Sequence, residues 1–425
     1  MACCVSLTHA ALLNIVPESV EAEAWVILDP HSKQVIAEHN SHVQRAPASL
    51  TKMMVGYIAL QEINAGRLKT TDLLTITPVI NTVMSDESQM KLKVGEQITV
   101  DRLLAGLIIM SANDAALTLG AHISGGVPQF LVRMNQEAQK LGMKNTHFSN
   151  PAGITMADHY STAHDLALLA EAVALQTPAY LSYSKQQSFA HGDILHHATN
   201  LLLKQDPSVD GLKTGFTKAA GYNLALTAHR PSNLPTLQDR RLIVVVLGTK
   251  SVLKRAEVAH RLMNLAYSYT RDELAIQNKQ ILAEVPVIKS PLRMFKVEAQ
   301  HAQLITTSLY PNNTPIDLKQ FNVTTQRMML TVDQQPAQVL EPLTQTQVHM
   351  NIEMKEKKLI APVEKVMQLA TIHVYQNNQL ITSFPIQENI NIEEANIFER
   401  LFIWVKGIFG LMSEENFKTY PLHLS

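Results

Sequence analysis

Three short motifs, far apart along the 425-residue chain, constrain its fold most strongly, because their chemistry requires them to meet at one site. They are, in chain order, Ser49-Leu50-Thr51-Lys52, Ser111-Ala112-Asn113 and Lys213-Thr214-Gly215. The set supplies a hydroxyl nucleophile, a base one helical turn away, a polar bridge and a cationic strand edge. This combination is typical of acyl-serine enzymes that use lysine where others use histidine.

Each motif is weak when it is taken alone. The Ser-x-x-Lys pattern occurs four times, at Ser49, Ser88, Ser182 and Ser251. Most single matches of this kind are exposed helix faces. Ser182 and Ser251 both follow Ser111 in the chain, so the order of the motifs leaves Ser49 and Ser88 as candidate nucleophiles.

Length and charge limit the kinds of protein that the chain can be. It is long enough for two domains with a sizeable core. The formal net charge of −1 provides no basic stripe for nucleic acid, so we expect no nucleic-acid partner. The sequence has no run of about 20 apolar residues, and no ordinary transmembrane helix is predicted.

The apolar, small-residue start of the chain is similar to the end of a secretory signal, with a cleavage site after Ala10. A plain N-terminal tail is the alternative, because the basic segment of a signal is missing. Cleavage would remove both cysteines, Cys3 and Cys4. A cysteine-free mature chain suits the oxidising periplasm of a Gram-negative bacterium. We assign residues 1–21 to the signal remnant and the N-terminal tail.

Apolar spacing and turn residues predict the elements that carry the motifs. The pattern predicts strands at 24–29 and 35–38, a helix that begins near Ser49, a buried helix at 103–110, strands at 224–227 and 242–248, and a helix at 252–269. The spacing of three residues places Lys52 on the same helix face as Ser49. The helix dipole favours a developing anion at this position.

The composition changes after about residue 275, and we assign residues 22–275 to the catalytic domain. Between 276 and 386, short alternating apolar runs are broken by Pro, Asn and Gln, which predicts a small all-β domain. From 390 to 412, large apolar residues that include Trp404 recur at helical spacing. Residues 387–425 are therefore assigned to an amphipathic membrane-anchor helix and tail. A helix docked on the β-rich domain is the alternative.

Longer strings surround the motifs. They are Pro47-Ala48-Ser49-Leu50-Thr51-Lys52-Met53-Met54, Ser111-Ala112-Asn113-Asp114-Ala115, Leu141-Gly142-Met143-Lys144-Asn145-Thr146-His147-Phe148, and Val209-Asp210-Gly211-Leu212-Lys213-Thr214-Gly215 with Ala220-Gly221-Tyr222-Asn223. With these strings the chain resembles the low-molecular-mass penicillin-binding proteins, most closely the D-alanyl-D-alanine carboxypeptidases of the type 5 and 6 group. The likeness covers nearly all of the mature chain and selects Ser49 over Ser88.

The resemblance implies an α+β fold. Its parts are a catalytic domain of the penicillin-binding and β-lactamase type with an antiparallel sheet between helical layers, a β-rich second domain and a C-terminal amphipathic helix. It also implies a peptidoglycan stem pentapeptide as substrate, β-lactam antibiotics as covalent inhibitors, and attachment to the outer face of the inner membrane in the periplasm. No cofactor and no metal site are expected.

For the reaction, we expect Ser49 to attack the carbonyl of the penultimate D-alanine while Lys52 removes the serine proton. Burial and the nearby charge of Lys213 would lower the pKa of Lys52 enough for this role. Ser111, Asn113 and Lys213 would relay a proton to the departing D-alanine. Water would then hydrolyse the acyl-enzyme.

Binding of the substrate is expected at the third motif. The backbone N–H groups of Ser49 and Phe216 would hold the oxyanion. Lys213 and Thr214 would bind the terminal carboxylate, and Gly215 would leave room for the substrate along the strand.

Two positions depart from the common family pattern. Phe216 stands where histidine is often found, although only its backbone is needed. Lys250 stands where an arginine often helps to hold the carboxylate, and a lysine lacks the bidentate fork of that side chain. Lys250 is therefore a candidate carboxylate-binding residue with altered affinity.

Three other functions are compatible with the motifs. A D,D-endopeptidase uses the same residues on cross-linked peptides. A weak β-lactamase would need a deacylating glutamate some tens of residues after Asn113, and the segment 145–153 contains no acid. A non-catalytic peptidoglycan-binding scaffold is the third alternative, although the intact nucleophile and base argue against it.

Overall fold

The computed structural model describes residues 10–234, 237, 239–310, 314–320, 347–401 and 416–424, with two short strands at 331–332 and 335–336. The chain divides into two compact units. One unit comprises Leu13–Tyr269 and Asn313–Glu341, and the other comprises Met1–Leu12, Thr270–Asn312 and Pro342–Ser425. The domain boundary expected after residue 275 falls inside a strand, Thr270–Ile276, of the second unit. Of the signal remnant and tail assigned to residues 1–21, residues 1–9 lie outside the described residues, whereas residues 10–21 are described and include a short 3-10 helix, Pro17–Ser19.

The first unit, called here the catalytic unit, contains seven α-helices among its described residues. They are α1 (Lys52–Asn64), α2 (Val100–Ile109), α3 (Asn113–Ser124), α4 (Val127–Lys140), α5 (Ala163–Gln176), α6 (Ala179–Ser184) and α7 (Val252–Tyr269). Its strands are β1 (Ala24–Asp29), β2 (Gln34–His39), β3 (Leu73–Thr75), β4 (Gln97–Thr99), β5 (Ser188–His191), β6 (Ile194–His197), β7 (Val209–Thr217), β8 (Gly221–Pro231) and β9 (Asp239–Thr249).

The main sheet of this unit is antiparallel, with the strand order β2-β1-β9-β8-β7. Ile243, Val245 and Leu247 on β9 join the apolar cluster that includes residues of α1, α2, α3 and α5. The alternate residues of β9 point to the opposite face and are also buried, and α7 packs on β8 and β9. The sheet therefore lies between two helical layers, and β7 is left at its edge.

Local sequence explains the hairpin that begins the sheet. Strands were expected at 24–29 and 35–38, and β1 and β2 occupy these positions. The Asp29 carboxylate accepts hydrogen bonds from the backbone N–H groups of His31 at 3.0 Å and Ser32 at 3.3 Å. Arg240 on β9 binds the other carboxylate oxygen at 3.0 Å. These contacts stabilise the turn internally and also attach it to β9.

The second unit is largely β-structure among its described residues, as expected. Its strands are β10 (Thr270–Ile276), β11 (Ile281–Ile288), β12 (Met294–Glu298), β13 (Gln303–Ser308), β16 (Val348–Met354), β17 (Leu359–Ile360), β18 (Val363–Gln376), β19 (Gln379–Ile392) and β20 (Lys418–Thr419), while the short β14 (Thr331–Val332) and β15 (Gln335–Pro336) belong to the catalytic unit. The strands β16, β18 and β19 form an antiparallel sheet in which β18 is central.

The start of the expected anchor is corrected by the structure. Residues 387–392 were assigned to the C-terminal helix, but they form the end of β19 and pair with β18. The physical reason is that burial alternates along this segment with a period of two residues. Ile386, Ile390 and Ile392 are buried, whereas residues 387, 389 and 391 are exposed. Residues 397–401 are helical. Trp404 and the rest of the expected helix to 412 lie outside the described residues.

Within the described residues, no helix combines the length and the apolar character that are needed to cross a membrane.

Candidate active site

Ser49 lies in a 3-10 turn, Ala48–Thr51, that leads directly into α1. Ala48 has a φ of +50°, a conformation that costs a non-glycine residue about 1–3 kcal/mol. Gly153, with a φ of +87°, lies against this turn. A Cβ at Gly153 would lie 2.0 Å from the Ala48 carbonyl oxygen and 2.9 Å from the Ser49 nitrogen, so a side chain at this position would displace the nucleophile.

Lys52 is the first residue of α1, and its side chain is fully buried. Its Nζ lies 3.0 Å from Ser49 Oγ and donates a hydrogen bond to the Ala152 carbonyl at 2.5 Å. Burial lowers the pKa of Lys52 to about 7, although the negative charges of Glu87 and Asp114 act in the opposite direction. A large fraction of Lys52 is therefore neutral near pH 7, as a general base requires.

A buried histidine, His159, stabilises the 3-10 turn that carries Ser49, which we call the nucleophile turn. His159 Nδ1 accepts a hydrogen bond from the Ser149 backbone N–H at 3.1 Å. Its Nε2 therefore carries the hydrogen that faces Thr51 Oγ1 at 2.9 Å, and Thr51 donates to the Ala48 carbonyl at 2.8 Å. Burial lowers the pKa of His159 to about 4, so the ring stays neutral at physiological pH. The chain of contacts fixes the carbonyl that precedes Ser49.

The second motif lies between α2 and α3. Ser111 has a φ of +67° and is 6% exposed, and its Oγ has no hydrogen-bond partner in the described part of the chain. Asn113 is the first residue of α3, and its backbone N–H donates to the Ser88 carbonyl at 2.7 Å. The side-chain Nδ2 of Asn113 donates to Glu87 Oε2 at 2.5 Å. The rejected Ser-x-x-Lys match at Ser88 thus lies beside the site and contacts it through its backbone.

Glu87 is a carboxylate that the sequence analysis did not include in the site. It is half-buried, and its segment is tied to α3 because the Asp114 carboxylate accepts hydrogen bonds from the N–H groups of Met90 at 3.0 Å and Leu92 at 3.2 Å. Its charge raises the pKa of Lys52 against the larger effect of burial. Glu87 therefore orients the Asn113 amide and opposes the loss of the Lys52 proton.

The third motif lies on β7, the edge strand of the main sheet. Lys213 is 2% exposed, and its Nζ donates to the Thr214 carbonyl at 2.9 Å. Burial, together with the positive charges of Lys52 and Arg255, holds the pKa of Lys213 well below its usual range. Because an edge strand has backbone groups that are not paired within the sheet, an extended peptide can lie along it.

Arg255 on α7 donates hydrogen bonds to β7, and it was also not predicted from the sequence. Its guanidinium donates to the carbonyl oxygens of Gly215 at 3.4 Å, Asn223 at 3.5 Å and Thr199 at 3.1 Å. The Thr199 hydroxyl is hydrogen bonded to the Thr214 hydroxyl. Arg255 therefore ties β7 to β8 and to the residue that contacts Thr214.

The first and third motifs are in close contact. A Cβ at Gly215 would lie 3.0 Å from the Ser49 nitrogen and 3.2 Å from the Pro47 carbonyl oxygen. Asn223 on β8 donates from Nδ2 to the carbonyl oxygens of Ala46 at 3.1 Å and Pro47 at 3.3 Å. Glycine is needed at position 215 because the strand edge approaches the backbone of the nucleophile turn.

The remaining candidates lie at the same end of the sheet. Phe216 is 49% exposed and stacks on Tyr222, with ring centroids 4.3 Å apart. Lys250 is exposed and follows Thr249, which pairs with Tyr222 on β8. Since Tyr222 in turn pairs with Phe216, Lys250 is two strands from β7, roughly 10 Å across the sheet.

The structure therefore brings some of the candidate residues into direct contact and leaves others connected only indirectly. Ser49, Lys52 and the β7 motif of Lys213, Thr214 and Gly215 are in mutual proximity. In the described part of the chain, no direct hydrogen bond joins Ser111 or Asn113 to Lys52, and Asn113 is connected to the site through Glu87.

Arg255, which was not predicted as a site residue, could have been identified from the sequence. The helical spacing of α7 places Arg255 on the same face as Ala259, Leu262 and Ala266, which are apolar and buried. A cation on an apolar face indicates a buried polar contact. Glu87 and His159 lie outside the motifs, and only the fold brings them to the nucleophile.

Replacing Glu87 with glutamine is expected to shift the pH dependence of acylation. The variant removes a negative charge that stabilises the Lys52 ammonium group, so the pKa of Lys52 falls below about 7. Lys52 then stays neutral to lower pH, and the acidic limb of the pH profile shifts to lower pH. The measurement is the second-order rate constant for acylation by benzylpenicillin between pH 5 and 9.

The matched control is Asp86→Asn, which removes the neighbouring, exposed carboxylate. It should leave the acidic limb in place. An acidic limb that is unchanged or moved upward in Glu87→Gln would contradict the electrostatic role of Glu87.

The sequence and the fold are similar to those of known proteins. The sequence model of the D-alanyl-D-alanine carboxypeptidase family of peptidases matches residues 11–251. The D-alanyl-D-alanine carboxypeptidase DacD of Salmonella typhimurium is 30% identical over 91% of this chain and 90% of its own length.

Solved structures give the same result. Penicillin-binding protein 5 from Haemophilus influenzae superimposes with a TM-score of 0.73 at 26% identity, over 89% of this chain and all (100%) of its own. Penicillin-binding protein D2 from Listeria monocytogenes, in its ampicillin-bound form, superimposes with a TM-score of 0.51 at 29% identity, over 58% of this chain and 98% of its own. The expected penicillin-binding fold is thereby confirmed.

Proposed function

Because the chain belongs to the D-alanyl-D-alanine carboxypeptidase family of serine peptidases, we propose that it removes the terminal D-alanine from peptidoglycan stem pentapeptides through an acyl intermediate on Ser49. The observation that carries the proposal is the 3.0 Å distance between Ser49 Oγ and Lys52 Nζ, in a site where burial lowers the pKa of Lys52 to about 7. A buried amine with this pKa can take up the serine proton as the hydroxyl attacks a carbonyl.

In the acylation step, Ser49 Oγ forms a bond to the carbonyl carbon of the penultimate D-alanine, and its proton passes to Lys52 Nζ. The Ala152 carbonyl accepts one N–H of Lys52 at 2.5 Å, which orients the amine. When the tetrahedral intermediate collapses, the bond to the terminal D-alanine nitrogen breaks and that nitrogen takes up a proton. Ser111, whose buried Oγ has no partner in the described part of the chain, is suited to relay the proton that Lys52 took from Ser49 to this nitrogen.

Recognition of the terminal carboxylate is assigned to β7. The Lys213 side chain and the Thr214 hydroxyl provide donors, and the backbone N–H groups of Ser49 and Phe216 are assigned to the oxyanion. The hydroxyl of Thr214 is already bonded to Thr199, which orients it. Lys250, two strands away, contributes longer-range positive charge.

Deacylation by water completes the cycle. The segment 145–153 packs on the nucleophile turn through the Ala152 carbonyl and Gly153, and it contains no carboxylate that could activate the deacylating water as the glutamate of a class A β-lactamase does. This arrangement supports slow release of β-lactams, and we propose that these antibiotics acylate Ser49 as stable inhibitors.

The test of the proposed reaction is release of D-alanine by the purified protein from a stem pentapeptide and from a cross-linked dimer of stems. Release from the pentapeptide at a higher kcat/KM than from the dimer is expected. Preference for the dimer would identify a D,D-endopeptidase, and binding of either peptide without release would identify a scaffold.

We further propose that the C-terminal segment attaches the protein to the outer face of the inner membrane in the periplasm. Ile397, Phe398 and Leu401 lie in one helical turn and are 77%, 79% and 57% exposed. Apolar side chains exposed on a helix face are suited to insertion at the lipid interface. The assigned helix continues beyond the described residues to 412.

Replacing Phe398 and Leu401 with glutamate is expected to reduce the fraction of protein bound to vesicles of phosphatidylglycerol and phosphatidylethanolamine. Each substitution exchanges apolar burial of about 1.5–3 kcal/mol for a charge that repels the lipid. Co-sedimentation with the vesicles measures the bound fraction. The control is Ile360→Glu, at a residue of the same unit that is 52% exposed, and equal binding of all three proteins would contradict the proposal.

A further inference from the structure

We propose that Glu38, His42 and His164 form a binding site for one zinc ion on the surface of the catalytic unit. Their ligand atoms, one carboxylate oxygen and two imidazole nitrogens, all lie within 4.8 Å of one another. None of the three takes part in the reaction described above.

The three residues come from different parts of the fold. Glu38 lies near the end of β2, His42 lies in the turn that follows, and His164 lies in the first turn of α5. The His42 and His164 rings have centroids 4.5 Å apart and planes inclined by 37°. His42 Nε2 is 4.0 Å from Glu38 Oε2, which is too long for a hydrogen bond.

These separations of up to 4.8 Å are longer than those of an occupied metal centre. Zinc binds imidazole nitrogen at about 2.0–2.1 Å and carboxylate oxygen at about 2.0–2.2 Å, so tetrahedral ligand atoms are about 3.3 Å apart. His42 is exposed and can rotate toward a shared ion, whereas the Glu38 carboxylate is held by the Ser41 hydroxyl and His164 is half-buried on α5. Small side-chain rotations close the remaining gap.

The donor set selects the class of metal. Two imidazoles and one carboxylate suit zinc and its neighbours nickel and copper, whereas magnesium and calcium require oxygen ligands. Three protein ligands leave a fourth position for water.

The surrounding contacts hold the ligands in place before an ion binds. The Ser41 hydroxyl donates to Glu38 Oε2 at 2.5 Å, and the Ser41 carbonyl accepts from the His164 backbone N–H at 2.9 Å. The first contact orients the carboxylate, and the second fixes the turn against α5. Such contacts around the ligands are a regular part of metal sites.

The position of the cluster suggests what the ion does. Arg45 and Ser161 exchange backbone hydrogen bonds of 2.8 and 2.9 Å, so they join the turn after β2 to the segment before α5. The cluster bridges the same two segments, and the chain continues from Arg45 to the turn that carries Ser49. Zinc would therefore stabilise the segment that leads to the nucleophile, at a site outside the catalytic residues.

The experiment uses full-length protein without a polyhistidine tag, treated with chelator and then dialysed. Titration calorimetry with zinc chloride and elemental analysis after dialysis are expected to give one zinc per chain, and zinc is expected to raise Tm. His42→Ala and His164→Ala should each weaken zinc binding at least about 10-fold and abolish the rise in Tm.

His122→Ala is the matched control, because His122 is an exposed histidine of the same unit that lies on α3, away from the cluster. It should bind zinc as the unaltered protein does. Labelling by fluorescent penicillin shows whether each variant is folded. No zinc binding by the unaltered protein, or equal binding by the His42, His164 and His122 variants, would overturn the proposal and leave the cluster as an ordinary surface group.

Discussion

Replacing Ser49 with alanine is expected to reduce D-alanine release by about 10⁶-fold, to the level of the uncatalysed reaction plus binding effects. The reason is that the variant removes the atom to which the acyl group would be attached. The environment of the neighbouring Lys52 is otherwise preserved, since its second contact is the Ala152 carbonyl. Release of D-alanine from a stem pentapeptide and labelling by fluorescent penicillin are the measurements.

The control for this experiment is Ser88→Ala, at the serine of the competing Ser-x-x-Lys match. Ser88 is exposed and contacts Asn113 through its carbonyl, so loss of its hydroxyl should leave both readouts intact. Labelling that persists in Ser49→Ala and disappears in Ser88→Ala would reverse the assignment of the nucleophile.

Replacing Lys52 with glutamine is expected to slow acylation by about 10²–10⁴-fold, which is the usual contribution of a general base. Glutamine can still donate to the Ala152 carbonyl, but it cannot accept the Ser49 proton. The acidic limb near pH 7, which follows from the pKa of Lys52, should therefore disappear from the pH profile of the residual rate. Rapid-quench measurement of benzylpenicillin acylation between pH 5 and 9 tests both effects.

Lys185→Gln is the control, because Lys185 completes the Ser-x-x-Lys match at Ser182 and both residues are exposed. It should leave the rate and the profile unchanged. A Lys52→Gln protein that is folded, as judged by Tm, and that retains the acidic limb would show that another group is the base.

Much of the fold could be predicted where local patterns are strong. The strand β1 and the helix α7 have the expected bounds because apolar spacing and turn residues decide them. The start of the C-terminal helix was predicted wrongly. Ile390 was included in the helical pattern that follows it, but Ile390 and Ile392 have the two-residue spacing of a strand and pair with β18.

The site could be predicted only as far as its motifs extend. Ser49, Lys52 and Lys213 are identified by short sequence patterns, and they lie together in the structure. Glu87 and His159 could not be identified in this way, because their roles depend on contacts between segments that are distant in the chain. Glu87 reaches Asn113 through the loop before β4, and His159 reaches the nucleophile turn through Thr51.

The electrostatic state of the site also depends on the fold. A lysine three residues after a serine is usually exposed and charged, so the lowered pKa of Lys52 was expected only from its role as a base. The shift arises from complete burial of Lys52, partly offset by Glu87 and Asp114. This burial is a property of the packed helices.

The most direct test of acylation at Ser49 is peptide mapping by mass spectrometry after incubation with benzylpenicillin. One penicilloyl adduct per chain is expected, on the peptide that contains Ser49 and Lys52. An adduct on a peptide that contains Ser88, Ser182 or Ser251, or no adduct on a folded protein, would contradict the assignment of Ser49 as the nucleophile.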